Sequence, residues 1–458
     1  MAKLRSSGSR AISENLRSRI LRGEFLPGQK MPTVRSLAED LNVSSDTTFR
    51  AYKRLQESGL LVMNRGSFTT VACPLPGENE AGILRNLVAT GPINEYEALS
   101  ESSNVRSFAT NVPDLKFFQA DSFLAEIRDV LNHGQWGFYY SPPQGDLGLR
   151  IAISEWLNKL GTSCSQENIV ITLGAQHGLA LTSRYLLGNG NKIAIEGADH
   201  LGGPARWASL GLERIVIPRL PGEVSNIDGI VSCGAKAIVV SPTGCGLSGR
   251  TLTSSDRQAI KDICKFNEIA ILEDVSNSFV TYEDRPMDMF DMSGEVIQVG
   301  SFSNILAPGI RQGFIVASQD QCHDLARMIQ NDTGGLALPI QIALASFIRK
   351  GLLKDHIRRV IPRYKKRRNS LLSGLAIHMP KHVSWSIPKA GFGCRVSFRE
   401  ESDVERLYER TVERGVSFTP GKLLVHANEA NKTIRVCFGN QSESRIAEGT
   451  RILGELLS

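Results

Sequence analysis

The sequence contains no C-x-x-C pair; its eight cysteines, at 73, 164, 233, 245, 264, 322, 394 and 437, stand singly. Scattered single thiols argue against a zinc site or a disulfide framework and point to a reducing compartment, the cytoplasm. No apolar run approaches the roughly 20 residues that a membrane-spanning helix needs. The start, MAKLRSSGSRAISENLRSR, is basic but lacks the apolar stretch of a secretory leader. With 41% hydrophobic residues, and with 19 Pro and 42 Gly near ordinary usage, disorder is not the expectation. A length of 458 residues exceeds one ordinary domain and sets the expectation at two or three.

A net charge of +6 is too small for a chain of this size to indicate a nucleic-acid or membrane partner by itself. Its placement is more informative. Residues 1–74 hold twelve Lys and Arg against six acids, which is the whole of the excess. The remaining 384 residues carry 41 charges of each sign. Such asymmetry predicts two domains with different partners.

The basic segment has helical spacing. Ile12, Leu16 and Ile20 recur at four-residue intervals, and Val34, Leu37, Ala38 and Leu41 form an amphipathic stripe. Asn42 suits a helix stop, and Ser44 or Ser45 an N-cap for a second helix running to about Ser58 and burying Phe49, Tyr52 and Leu55. LLVMNRGSFTTVA then reads as two short strands around Arg65-Gly66-Ser67, completing a winged helix-turn-helix. The expected division is a tail (1–9), a DNA-binding domain (10–74), a linker (75–105) and a large domain (106–458). In the large domain IVITLG (169–174), KIAIEG (192–197), RIVIPR (214–219), AIVVSP (237–242), IAILED (269–274), VIQVGS (296–301) and GFIVAS (313–318) read as strands buried on both faces. They predict an α/β domain with a mainly parallel sheet covered by helices. From about Leu352, a basic helix and short strands such as GFGCRVSF and TIRVCFGN predict a smaller α+β subdomain.

In a winged helix the second helix enters the major groove. Its first turns offer Ser45, Asp46, Thr47 and Thr48, with Arg50, Lys53 and Arg54 beyond. Arg35 opens the preceding helix, and Arg65 with Gly66 stands at the wing tip, suited to a backbone or minor-groove contact. The segment ISENLRSRILRGEFLPGQKMPTVRSLAEDLNVSSDTTFRAYKRLQESGLL resembles the winged-helix domain of GntR-type bacterial transcription regulators. That family often places an arginine near the start of the recognition helix, where this chain has Ser45-Asp46.

In open α/β sheets, ligands bind beyond the carboxyl ends of strands. Gly174-Ala175-Gln176 follows one such strand and could open a helix with free N–H groups. Asp274 closes another, and Ser301, Ser303 and Arg311 surround a third. Taken singly these read as loop and capping residues. Together they make an anion cup beside a buried carboxylate, the requirement of a phosphorylated pyridine cofactor.

Residues from about 106 onward are similar to fold-type I aminotransferases through YYSPPQGDLGLRIAISEWL, TLGAQHGLAL, ILEDVSNSF, GSFSNILAPGIRQGF and TIRVCFGNQSESRIAEGTRIL. With the N-terminal domain, nearly the whole chain resembles the MocR subfamily of GntR regulators. The resemblance implies a pyridine-nitrogen partner at Asp274 and a phosphate cup of Ser301, Ser303 and Arg311, with Gly174, Ala175 and Gln176 on its other side. It also implies a clamp for a substrate or effector carboxylate at Arg435.

The departures are equally specific. The family's Schiff-base lysine falls at Asn304, and an amide neither forms an imine with an aldehyde nor shuttles protons as an amine does. The tyrosine expected two residues after the aspartate is Ser276; an Asn-Pro-Thr-Gly-like run has become GLSG, leaving Cys245 or Gly246 against the ring; the ring-stacking position falls near His200. The expected function is therefore a homodimeric, DNA-binding transcription regulator whose catalytically silent aminotransferase-like domain senses a small carboxylate or amino acid. Two expectations for its pocket stand side by side: pyridoxal 5'-phosphate, pyridoxamine phosphate or a cofactor–amino acid adduct held without a covalent bond, or another small anionic effector. The competing reading is an active pyridoxal-phosphate aminotransferase with an accessory DNA-binding domain, for which Lys422 would have to reach the cofactor. A third treats the large domain as a dimerisation scaffold.

Overall fold

The computed structural model describes residues 8–21, 24–25, 29–58, 60–63, 68–71, 105–132, 135–198, 203–219, 225–282, 296–425 and 427–458. They fall into two compact units, one within Met1–Val105 and one spanning Arg106–Ser458. Most of the expected linker, the wing tip at Arg65 and Gly66, and His200 lie outside the described residues.

The first unit has helices α1 (Ser9–Leu21), α2 (Val34–Leu41) and α3 (Ser45–Glu57), followed by antiparallel strands β1 (Leu61–Val62) and β2 (Thr70–Val71). Each helix boundary has a local cause. The Thr33 hydroxyl accepts from the Ser36 N–H to start α2, and Asn42, left-handed at φ 52°, stops it. The Ser44 hydroxyl then accepts from the Thr47 N–H to start α3. Ile12, Leu16, Leu37, Ala51, Tyr52, Leu55, Leu61 and Val71 form the core. The Tyr52 hydroxyl donates to the Pro32 carbonyl at 2.8 Å, tying α3 to the segment before α2.

Phe49 departs from expectation, being 47% exposed. The buried stripe of α3 runs through Thr48, Ala51, Tyr52 and Leu55, an i, i+3, i+4, i+7 set. Phe49 is one residue, about 100° of helix, away from that stripe.

In the second unit all seven expected strands form one sheet: β4 (Ile169–Thr172), β5 (Lys192–Glu196), β6 (Glu213–Ile217), β7 (Ala237–Val240), β8 (Ala270–Asp274), β9 (Val296–Ser301) and β10 (Gly313–Val316). The order is β4-β10-β9-β8-β7-β5-β6, with β10 alone antiparallel to its neighbours. Alternation along each strand divides its side chains between two cores. Ala237, Val239, Leu272, Ile297 and Val299 join one face with Leu149, Ile153, Leu179, Leu325 and Phe347 of the covering helices. Ile238, Val240, Ile271 and Val296 join the other with Ile230, Ile260 and Cys264.

A four-stranded antiparallel sheet follows, ordered β11 (Val383–Trp385), β12 (Gly393–Phe398), β15 (Thr433–Cys437), β14 (Thr419–Pro420). Helix α4 (Ala175–Leu186) follows β4 in the large sheet, and the long helix α5 (Leu352–His378) accompanies the smaller sheet. The smaller subdomain is not confined to the final hundred residues. Strand β3 (Arg106–Ser107) pairs in parallel with β13 (Val416–Ser417), so the first described residues of the unit are built into its last part. Among the described residues no helix is long and apolar enough to cross a membrane.

Candidate functional site

On α3, Ser45, Asp46, Arg50, Lys53 and Arg54 are exposed, Thr47 is half-buried, and Arg35 is exposed on α2. The structure removes Thr48 from the expected contact set. It is fully buried, its hydroxyl without a hydrogen-bond partner among the described residues, because the helix repeat turns it to the core. Asp46 and Arg50, four residues apart, form an ion pair of 2.8 Å in which both side chains are about two-thirds exposed. Such a pair contributes little, about 0–1 kcal/mol, so it holds Arg50 only weakly.

The second candidate site is where β4, β9 and β10 end together. Gly313 is in register with both Thr172 and Ser301, which aligns the three strand ends in one row. A Cβ on Gly313 would stand 2.6 Å from Gly174 Cα and 2.7 Å from the Gly300 carbonyl oxygen, so only glycine permits this approach. Gly174 turns the chain from β4 into α4 (Ala175–Leu186) at φ 89°. The first helical bond runs from the Gly178 N–H to the Gly174 carbonyl, so the N–H groups of Ala175, Gln176 and His177 precede it.

The cup converges on Gly174. A Cβ there would stand 3.6 Å from both terminal nitrogens of Arg311 and from the Ser301 hydroxyl. Arg311 is fixed by a 2.6 Å bond from Nη2 to the Leu173 carbonyl. Its own backbone is left-handed at φ 50°. The Ser301 hydroxyl donates to Ser303 Oγ at 3.0 Å and accepts the Ser303 N–H at 3.1 Å. His177 Nδ1 accepts the Leu173 N–H at 3.1 Å. Burial first, then the charges of Arg184 and Arg311, lower its pKa and hold it neutral, as that acceptor role requires.

Asp274, 3% exposed at the end of β8, lies in register with Val299 of β9, one strand from Ser301 and Ser303. Its Oδ1 accepts the Ser276 N–H at 2.9 Å. The side chain that meets Asn304 is Asn277, not Ser276: Asn304 Nδ2 donates to Asn277 Oδ1 at 2.7 Å, and Asn277 Nδ2 donates to the Gly244 carbonyl at 2.8 Å. Ser276 is buried and its hydroxyl lacks a partner among the described residues. Sequence reasoning missed Asn277, since its contact with Asn304 joins residues 27 positions apart.

The loop carrying Asn304 is anchored by His356 of α5, whose Nε2 bonds the Ile305 carbonyl at 2.8 Å while Nδ1 faces Arg359 Nη2 at 3.3 Å. Arg donates only, so Nδ1 accepts and Nε2 carries the proton. Burial chiefly lowers the His356 pKa to about 4.

Two candidates lie on the smaller subdomain. Arg435, 2% exposed on β15, donates through Nη2 to the Ala109 carbonyl at 2.9 Å and to Thr419 Oγ1 at 3.1 Å. Its Nε is buried without a hydrogen-bond partner among the described residues. Lys422 is half-exposed and ion-paired with Glu405.

The sequence matches the family of bacterial regulatory proteins of the gntR family over residues 9–71 and aminotransferase class I and II over residues 103–451. It is 26% identical to the HTH-type transcriptional regulator YdfD of Bacillus subtilis, covering 98% of this chain and 96% of that one. It is also 26% identical to the Rhizobium meliloti protein named "Probable rhizopine catabolism regulatory protein MocR", covering 90% and 86%. The multiple substrate aminotransferase of Thermococcus profundus superposes with a TM-score of 0.73 at 26% identity, covering 80% of this chain and 94% of that one.

Fold and site thus define a DNA-binding winged helix and an aminotransferase-type domain with a strand-end cup of guanidinium and hydroxyl groups. The chain belongs to the aminotransferase class I and II family and, through its GntR domain, to the MocR-type transcription regulators. The GntR domain implies DNA binding, and the aminotransferase family binds pyridoxal phosphate. The residues present fit that group: the side-chain-free space over Gly174 is ringed by a guanidinium and a hydroxyl, the donor set for a phosphate, next to a buried carboxylate.

Proposed function

We propose that this transcription regulator works as a cytoplasmic homodimer whose aminotransferase-like domain senses a small carboxylate or amino acid and carries out no transamination. The observation that carries this reading is the Asn304–Asn277 hydrogen bond, which puts an amide pair where the chemistry needs a free amine. Pyridoxal phosphate, when bound, supplies an electrophilic carbon and an electron-withdrawing ring. Here Ser301, Ser303, Arg311 and the start of α4 hold its phosphate and Asp274 its ring nitrogen, without a covalent bond. Arg435 offers its unpaired Nε to an effector carboxylate. An effector changes DNA binding only through different affinities for two arrangements of the protein.

The test is to add pyridoxal phosphate and then borohydride to the full chain. No pyridoxyl group is expected on any lysine, while thermal stability rises with cofactor concentration. A single lysine labelled stoichiometrically overturns the non-covalent, non-catalytic reading.

A further inference from the structure

The amide pair fixes which hydrogen-bonding edge Asn304 presents. The Gly244 carbonyl can only accept, so Asn277 must turn Nδ2 toward it and Oδ1 away. Asn277 Oδ1 can in turn only accept, so Asn304 must turn Nδ2 toward it. Neither amide can flip alone without setting oxygen against oxygen. Two glycines pack closely against Asn277: a Cβ on Gly244 would stand 2.9 Å from Asn277 Cβ, and one on Gly391 3.2 Å from Asn277 Cγ. Asn277 is 4% exposed. Asn304 itself is half-buried, and its Oδ1 accepts no hydrogen bond among the described residues. The outcome is that the Asn304 carbonyl oxygen is turned away from Asn277, on the residue that directly follows Ser303 of the cup.

We propose that the Asn277–Asn304 relay makes this pocket select the amine form of the cofactor, pyridoxamine phosphate, over the aldehyde form. This rests on the reading that the cup and Asp274 hold the cofactor, which would bring the substituent next to the phosphate arm, opposite the ring nitrogen, toward Asn304. An ammonium there donates a charge-assisted hydrogen bond to Oδ1, whereas an aldehyde oxygen meets it lone pair to lone pair. A lysine would reverse the preference, because it consumes the aldehyde by bonding to it. The loss of the lysine and the orientation of the amide therefore act in the same direction.

The experiment is titration calorimetry of the full chain with pyridoxamine phosphate, pyridoxal phosphate and inorganic phosphate, repeated on Asn304→Leu and Asn304→Ala. The unsubstituted chain should bind the amine form at least roughly tenfold more tightly than the aldehyde, about 1.4 kcal/mol. Both substitutions should bring that ratio to within about threefold of unity, with phosphate affinity unchanged as the control that the cup is intact. Equal or tighter binding of the aldehyde by the unsubstituted chain overturns the selectivity and leaves the cofactor reading standing. A preference that survives both substitutions overturns the role of Asn304. Binding of neither cofactor form, with phosphate still bound, overturns the cofactor reading itself.

Discussion

Replacing Arg311 with alanine should weaken pyridoxal phosphate binding by one to two orders of magnitude. Arg311 is the fixed charge of the cup: its two terminal nitrogens and the Ser301 hydroxyl surround the space over Gly174, and Nη2 is oriented by the Leu173 carbonyl at 2.6 Å. A hydrogen bond to a charged partner contributes about 1.5–3 kcal/mol, equivalent to roughly 10- to 150-fold in affinity. Arg311 is exposed, which puts the expectation toward the lower half of that range. Arg311→Lys should fall between, because one ammonium cannot match a fork that serves both the Leu173 carbonyl and a phosphate. The backbone supplies an internal control. At φ 50°, arginine and alanine carry the same left-handed strain, whereas Arg311→Gly relieves about 1 kcal/mol of it. The glycine variant should therefore lose as much affinity as the alanine variant while melting at a higher temperature. Calorimetric titration and thermal melts measure the two effects separately. An Arg311→Ala affinity within threefold of the unsubstituted chain would refute the assignment of the cup.

DNA affinity should fall steeply with salt, and Arg50→Ala or Lys53→Ala should each reduce the slope of log K against log salt by about one, measured by fluorescence anisotropy. Thr48→Val should leave DNA affinity unchanged and raise stability by about 1 kcal/mol, because it removes a buried hydroxyl that lacks a partner; weaker DNA binding by this variant would restore Thr48 as a contact. Asn304→Lys, treated with pyridoxal phosphate and borohydride, should acquire a pyridoxyl group at position 304, read by mass spectrometry of the digested protein. His356 stays unprotonated in the folded protein down to about pH 4 but takes up a proton near 6.5 when unfolded. Its contribution is therefore complete above about 6.5 and is lost as pH falls toward 4, by about 3 kcal/mol. Denaturant unfolding of the large unit across that range should show the loss, and His356→Gln should reduce it.

The elements of this protein are set by short-range rules that a linear reading can use. Residues 34–58 carry their own start and stop signals in Thr33, Asn42 and Ser44, and the seven strands announce themselves as apolar runs because both sheet faces are covered. Spacing alone also placed Asp274 and Ser301 at strand ends, since the last residue of a parallel strand must emerge at its carboxyl edge, and Arg311 reaches the same edge because it precedes the antiparallel β10. The expectations that failed were of finer grain. Phe49 and Thr48 exchanged roles because one residue on a helix is about 100°, a difference that an apolar count does not resolve. Asn277 was not among the expected site residues, because no local signal fixes which residue of the turn after β8 faces the segment after β9.

The division of labour was legible in the sequence alone: a basic module for DNA and an electrically neutral partner. The tertiary structure alone decided that Asn304 meets Asn277 and that Gly244 orients both, because residues 244, 277 and 304 come from three separate strand ends. Hydrogen-bond direction in a buried relay depends on what terminates it. Here the terminus is a main-chain carbonyl, which composition and periodicity cannot register.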